Sequence, residues 1–210
     1  MGRVISIPLK FDKFDNRGKK LKGSLNLLIS SLYHPVDTKE HNNLSDILVS
    51  FFKKHRKKQE LIIGHDINAN VGTRDPQATY DYNNVLGPHG IDNRNPKGTS
   101  LLMTLSIIDV RITNIFFTHD SHVRGVSFSG TRSPHMLDVI SVSPGIFQNM
   151  KDDAVVKIGV KWDHSAFAAH FTINSIKKQK KQPSKSKIDW KNIINHGPTN
   201  FIYNHILESL

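Results

Sequence analysis

Apolar and polar positions along the chain fall into short strand-like runs, two helical stretches and long polar intervals. Residues 4–7 (Val4-Ile5-Ser6-Ile7) and 24–33 are β-rich runs separated by Asp15-Asn16-Arg17-Gly18-Lys19-Lys20, whose Asn16 and Gly18 carry turn chemistry, so two antiparallel strands are expected. Pro35 cannot donate to a ladder and stops the second strand beside Tyr33. Leu44, Ile47, Leu48, Phe51 and Phe52 recur at helical spacing, which predicts a helix capped by Asn43 or Ser45. Leu61-Ile62-Ile63 is too short an apolar run for a helix and reads as a buried strand, after which the sequence turns abruptly to Gly64, Asp66, Asn68, Asn70 and Gly72. Residues 73–97 form a long polar interval rich in Gly, Pro and Asn, of the kind that often carries function. Gly98-Thr99-Ser100 opens a second helix with Leu101, Leu102, Leu105 and Ile108 inward, and further strands are expected at 110–117, 136–140, 154–160 and 167–173.

Composition narrows the classes. A chain of 210 residues can hold one sizeable domain and a short appendage. Its 29 Lys and Arg against 18 Asp and Glu give a formal charge of +11, which favours a polyanion such as nucleic acid or an anionic membrane face. The absence of Cys excludes a disulfide framework and a Cys-based zinc site, and the twelve His show no H-E-x-x-H spacing. No apolar run reaches transmembrane length and the start is too short for a secretory signal, so an intracellular chain without a membrane partner is expected. Lys53, Lys54, Arg56, Lys57 and Lys58, closing the first helix, complement its dipole and read as a solvated face. The polar stretch 119–135 mixes His119, His122, Arg124, Arg132 and His135 with Phe128, which suits a nucleic-acid groove and an ordinary exposed loop about equally. Residues 177–187 are a Lys, Gln and Ser run with one Pro, hence a flexible basic linker, and no internal repeat is present.

Candidate chemistry gathers at four places. Asp66 and Asn68 are two apart, so an extended backbone would project a carboxylate and an amide from one face, although an Asx-rich turn uses the same residues. Asp138 lies inside an apolar strand pattern, where a carboxylate is costly unless paired. Asp163-His164 sets an acid beside an imidazole just ahead of the last strand, and Tyr33 stands at the end of an early one.

Taken in order, Tyr33-x-Pro35, Gly64-x-Asp66-x-Asn68, Asp138 and Asp163-His164 resemble the endonuclease/exonuclease/phosphatase superfamily, the fold of apurinic endonucleases and pancreatic-type deoxyribonucleases. Gly87-Pro88-His89-Gly90, Asn93-Arg94-Asn95, Gly98 and Ile112-Thr113-Asn114-Ile115-Phe116-Phe117-x-His119 look most like endonuclease domains of non-LTR retrotransposons. The resemblance covers about residues 4–173. It implies an α/β fold, a two-sheet α/β/β/α sandwich that is N-terminally truncated, with a domain over 1–175, a basic linker over 176–187 and, from 188 to 210, the start of a segment where a reverse transcriptase would follow. It implies DNA as partner, a nuclear site of action, Mg²⁺ with Mn²⁺ as substitute, and no small-molecule cofactor. Asp66 would position or deprotonate the attacking water or serve the leaving group, Asn68 and Tyr33 would hydrogen-bond the phosphate, Asp138 would orient His164, and Asp163 would help hold the metal. There are departures. Nothing acidic precedes Asp12, Trp162 stands where the family has Ser, and Val36 where many members have Asn. The expectation is therefore a DNA endonuclease of retrotransposon type with an incomplete metal site, weakly active or inactive. A non-catalytic nucleic-acid-binding remnant and a phosphatase of the same superfamily are the alternatives.

Overall fold

A computed structural model of the protein describes residues 2–15, 17–75, 82–91, 93–117, 136–156 and 166–172. The first two strands, β1 (Arg3–Phe14) and β2 (Lys20–Tyr33), form a long antiparallel hairpin in register from Arg3↔Tyr33 to Asp12↔Ser24. Its turn is tied by Asp15, whose carboxylate accepts the backbone N–H groups of Arg17 and Lys19 at 2.9 and 2.8 Å. A helix, α1 (Thr38–Arg56), then returns the chain so that β3 (Glu60–Asp66) runs parallel to β2. Such a parallel return needs a crossover of this length.

The start of α1 differs from expectation. The helix begins at Thr38, and the cap is Asp37, whose Oδ1 accepts the Glu40 N–H at 2.9 Å. An acceptor at the cap with an acid three residues on is a helix-start pattern that needs no apolar residue, so the polar stretch ahead of Leu44 concealed it. His41, Leu44, Ser45, Leu48 and Phe52 make the buried stripe, while Ile47 lies outside it at 62% exposure. The second helix, α2 (Pro96–Ile107), starts two residues before the Gly98 start read from the sequence and is capped by Asn95, whose Oδ1 accepts the Gly98 N–H at 2.8 Å. Gly98 serves close packing: a Cβ there would run into the Asn70 carbonyl.

The remaining strands complete two sheets. In the first, the order is β1-β2-β3-β5-β4, with β4 (Arg111–Ile112) and β5 (Asp138–Val142) antiparallel to each other and β5 antiparallel to β3. The strand expected over 110–117 is cut to two residues, followed by a 3₁₀ turn at Thr113–Ile115. The Asn114 side chain takes over the ladder's role: Nδ2 donates to the Asp138 carbonyl and Oδ1 accepts from Ile140 N–H, both at 3.0 Å. A short helix, α3 (Pro144–Phe147), leads to the second sheet, β6 (Met150–Val156) paired antiparallel with β7 (Ala166–Phe171). These overlap the strands expected at 154–160 and 167–173, of which 157–160 and 173 lie outside the described residues.

Strand alternation sorts the core into two layers. Leu28 and Leu32 of β2, Leu61 and Ile63 of β3 and Val139 of β5 face the helices and pack with Phe52, Leu101 and Leu105. Leu27, Ile62, Ile140 and Val142 face the other way, where Ile146, Phe147 and Phe171 of β7 meet them. The molecule is thus mixed α/β, with α1 and α2 on one face of a five-stranded sheet and α3 and a two-stranded sheet packing on the other. Described parts of the polar interval 73–97 belong to this core as well: Val85 and Leu86 are fully buried, and the Ile112 N–H donates to the Val85 carbonyl. No described helix is long and apolar enough to cross a membrane.

Candidate active site

Three of the residues singled out in the sequence meet in one row. Parallel pairing of β2 with β3 sets Tyr33 opposite Asp66, and antiparallel pairing of β3 with β5 sets Asp66 opposite Asp138. Register partners project from the same face, and adjacent strands lie about 4.8 Å apart, so a phenol and two carboxylates line one end of the sheet within about 10 Å. By alternation with Ile62, Ile140 and Leu27 the row belongs to the face that carries the second sheet. Tyr33 is 42% exposed, so it is not part of the packed core.

Asn68 joins the row differently from expectation. The strand ends at Asp66, and Asn68 sits in the left-handed region at φ 43°, so an extended D-x-N geometry does not hold. Asparagine tolerates that conformation where most side chains do not. Its Nδ2 donates to the His34 carbonyl at 2.8 Å, and the His34 N–H donates to the Asp66 carbonyl at 2.9 Å. The ends of β2 and β3 are therefore stitched together beyond the last ladder pair, and Asn68 keeps one of its two Nδ2 hydrogens for another acceptor.

Behind the row, on the helix side, lies a group that sequence reasoning missed. His34, His41 and His65 are 0%, 0% and 4% exposed. The His34 Nε2 and His65 Nδ1 atoms are 3.2 Å apart, and the His34 ring centroid lies 5.1 Å from that of His41 and 5.5 Å from that of His65. One nitrogen of the short pair must donate and the other accept, which neutral rings of complementary tautomer satisfy. Burial, with His41 nearby, pushes the His34 imidazole down to about 3. Burial and then His34 hold His65 well below its ordinary value, and burial and the Lys97 ammonium lower His41 against an opposing backbone interaction at Ile67. A signal was present: His34 follows Tyr33 and His65 precedes Asp66, so each imidazole sits one residue from a site position and faces the opposite side of the sheet.

Asp163 and His164 lie outside the described residues. Among the described residues no three His, Asp or Glu side chains are grouped to hold a metal ion.

Among solved structures, the catalytic domain of Xenopus laevis APE2 superposes with a TM-score of 0.53 at 14% identity, covering 79% of this chain and 55% of that one. At this identity the likeness is one of fold alone. The endonuclease domain of TRAS1, a telomere-specific non-LTR retrotransposon, is similar at TM-score 0.49 and 16% identity over 82% of this chain and 70% of that one. A 3'-5' exonuclease (NExo) from Neisseria meningitidis is similar at 0.49 and 14% over 69% and 61%. No protein-family model and no curated protein sequence matches the chain. The sheet order brings β2, β3 and β5 side by side, which accounts for the meeting of Tyr33, Asp66 and Asp138.

Proposed function

We propose that the chain is a phosphodiester hydrolase acting on DNA, an endonuclease of retrotransposon type. The observation that carries this reading is the row Tyr33, Asp66, Asp138 across three adjacent strands. The likeness of fold to the APE2 catalytic domain and the motifs at Gly87 to Gly90 and Ile112 to Phe117 add support. Hydrolysis of a phosphodiester asks mainly for a positioned water and for stabilisation of charge on the phosphate. In this reading Asp66 accepts the proton of the attacking water, while the Tyr33 hydroxyl and the second Nδ2 hydrogen of Asn68 donate to phosphate oxygens. Asp138 holds His164 in one tautomer; β7 begins two residues after His164 and packs on the face of the row. Asp163 is the residue proposed to help hold Mg²⁺, with Mn²⁺ as substitute, and the metal when bound neutralises charge on the phosphate.

The test is nicking of supercoiled plasmid by the full chain with Mg²⁺ or Mn²⁺. A positioned base is worth about 10²- to 10⁴-fold. Asp66→Asn is therefore expected to slow nicking at least about 100-fold, with comparable losses for Asp138→Asn and His164→Ala. Nicking that survives Asp66→Asn would overturn the assignment. A chain that binds duplex yet nicks nothing under either metal would be a binding module on a hydrolase fold.

A further inference from the structure

The hairpin β1–β2 outruns the sheet. β3 partners β2 only from Leu27 to Tyr33, so residues 20–26 of β2 and 10–14 of β1 continue as a two-stranded ribbon past the start of β3. The last turn of α1 comes alongside, fixed where Asn26 Nδ2 donates to the Lys58 carbonyl at 3.4 Å. Between them opens a cleft of about 340 Å³ whose charged lining is Lys13, Arg56, Lys57, Lys58 and Glu60. A second cleft of about 470 Å³ abuts it at Ser24 and carries Lys10, Lys20 and Lys22 with Asp12. Seven cations against two carboxylates therefore line one concave surface, and both carboxylates are already engaged. Asp12 pairs with Lys20 at 2.7 Å, and Glu60 with Arg56 at 3.7 Å while accepting the Ser143 hydroxyl. Lys10, Lys13, Lys22, Lys57 and Lys58 have no carboxylate partner among the described residues. Glu60 and Asp66 are six residues apart along β3, so this surface lies about 20 Å from the candidate active site.

We propose that this surface is a second, non-catalytic contact for the phosphodiester backbone of duplex nucleic acid. A concave basic surface whose Lys10, Lys13, Lys22, Lys57 and Lys58 have no carboxylate partner among the described residues presents the chemistry that phosphates require, and a two-stranded ribbon is a shape that duplex grooves admit. Arg56, Lys57 and Lys58 thus act beyond complementing the helix dipole, because the ribbon places Lys13 beside them. The contact does not depend on turnover at the row of Tyr33, Asp66 and Asp138.

The experiment measures binding of the full chain to a 20-base-pair DNA duplex, without divalent metal, as a function of salt. Each phosphate contact contributes about 0.9 to the slope of log affinity against log salt concentration. Lys13→Gln with Lys57→Gln and Lys58→Gln is expected to make that slope shallower by about 2 to 3, and to weaken binding at least about tenfold at 0.1 M salt. The charge-matched set Lys39→Gln, Arg74→Gln and Lys151→Gln is expected to change the slope by less than about 1. Equal changes from the two sets would mean that only net charge matters, and would overturn the proposal. So would an unchanged duplex slope, with or without cleft-dependent binding to phosphatidylserine vesicles. Because the measurement reads binding alone, failure of the unmodified chain to nick plasmid would refute the hydrolase reading and leave this contact standing.

Discussion

Acidification should unfold this protein through His34. Its imidazole is held at about 3 in the folded chain, against an ordinary value of 6.5 in the unfolded chain. The unfolded state therefore binds the extra proton between those limits, and stability falls as pH falls below about 6.5, being fully present above it. At pH 5 the unfolded chain gains 1.36 kcal/mol times log(1 + 10^1.5), about 2 kcal/mol, while the folded imidazole is still neutral. That figure is set by the unfolded value, because any folded value below about 4 changes it by less than about 0.1 kcal/mol. His65, lowered well below its ordinary value, acts in the same direction. The groups facing this pair include His41, and Lys97 disfavours a further positive charge there. Urea unfolding of the full chain at pH 7.5 and 5.0 should show a loss of at least about 2 kcal/mol. His34→Gln should be less stable at pH 7.5, yet its loss between the two pH values should be smaller than the unmodified chain's by about 2 kcal/mol. Equal losses in the two proteins would refute the reasoning, since the titrating group would then lie elsewhere.

Two further predictions concern how the site is held. Asn68→Ala removes the bond to the His34 carbonyl and places an ordinary side chain at positive φ, so a loss of about 2–3 kcal/mol is expected, whereas Asn68→Gly should lose only about 1 kcal/mol; thermal melts of the two variants separate the contributions. Asn114→Leu leaves the Asp138 carbonyl and the Ile140 N–H without their amide partner, which should cost about 2–4 kcal/mol and speed amide exchange at Ile140 relative to Val142.

Local chemistry made much of this legible. The apolar run ending in Asp66, the Pro35 stop beside Tyr33 and the leucine spacing of the second helix each follow from a handful of neighbouring residues, and each matches an observed element. What escaped is non-local or replaces backbone with side chain. Asn114 shortens a strand by standing in for its ladder, and Asn68 reverses the backbone where alternation predicts a continued face. Val85 and Leu86 enter the core from a stretch whose Gly and Pro content reads as surface. The histidine group could not be seen because its members belong to β2's end, α1's first turn and β3, which only the crossover brings together.

The register row also fixes when each part of the molecule can exist during synthesis. The hairpin is closed by neighbours in sequence, and the residues lining the cleft beside it end at Glu60. The row cannot form until β5 has been made, because Tyr33 and Asp138 are 105 positions apart (138 − 33) and only β3–β5 pairing unites them. Loop closure over such a span is slow compared with hairpin formation. In a chain leaving the ribosome the residues lining the cleft therefore precede the last member of the row by about eighty positions (138 − 60 = 78). Translation order thus separates the proposed contact surface from the candidate chemistry.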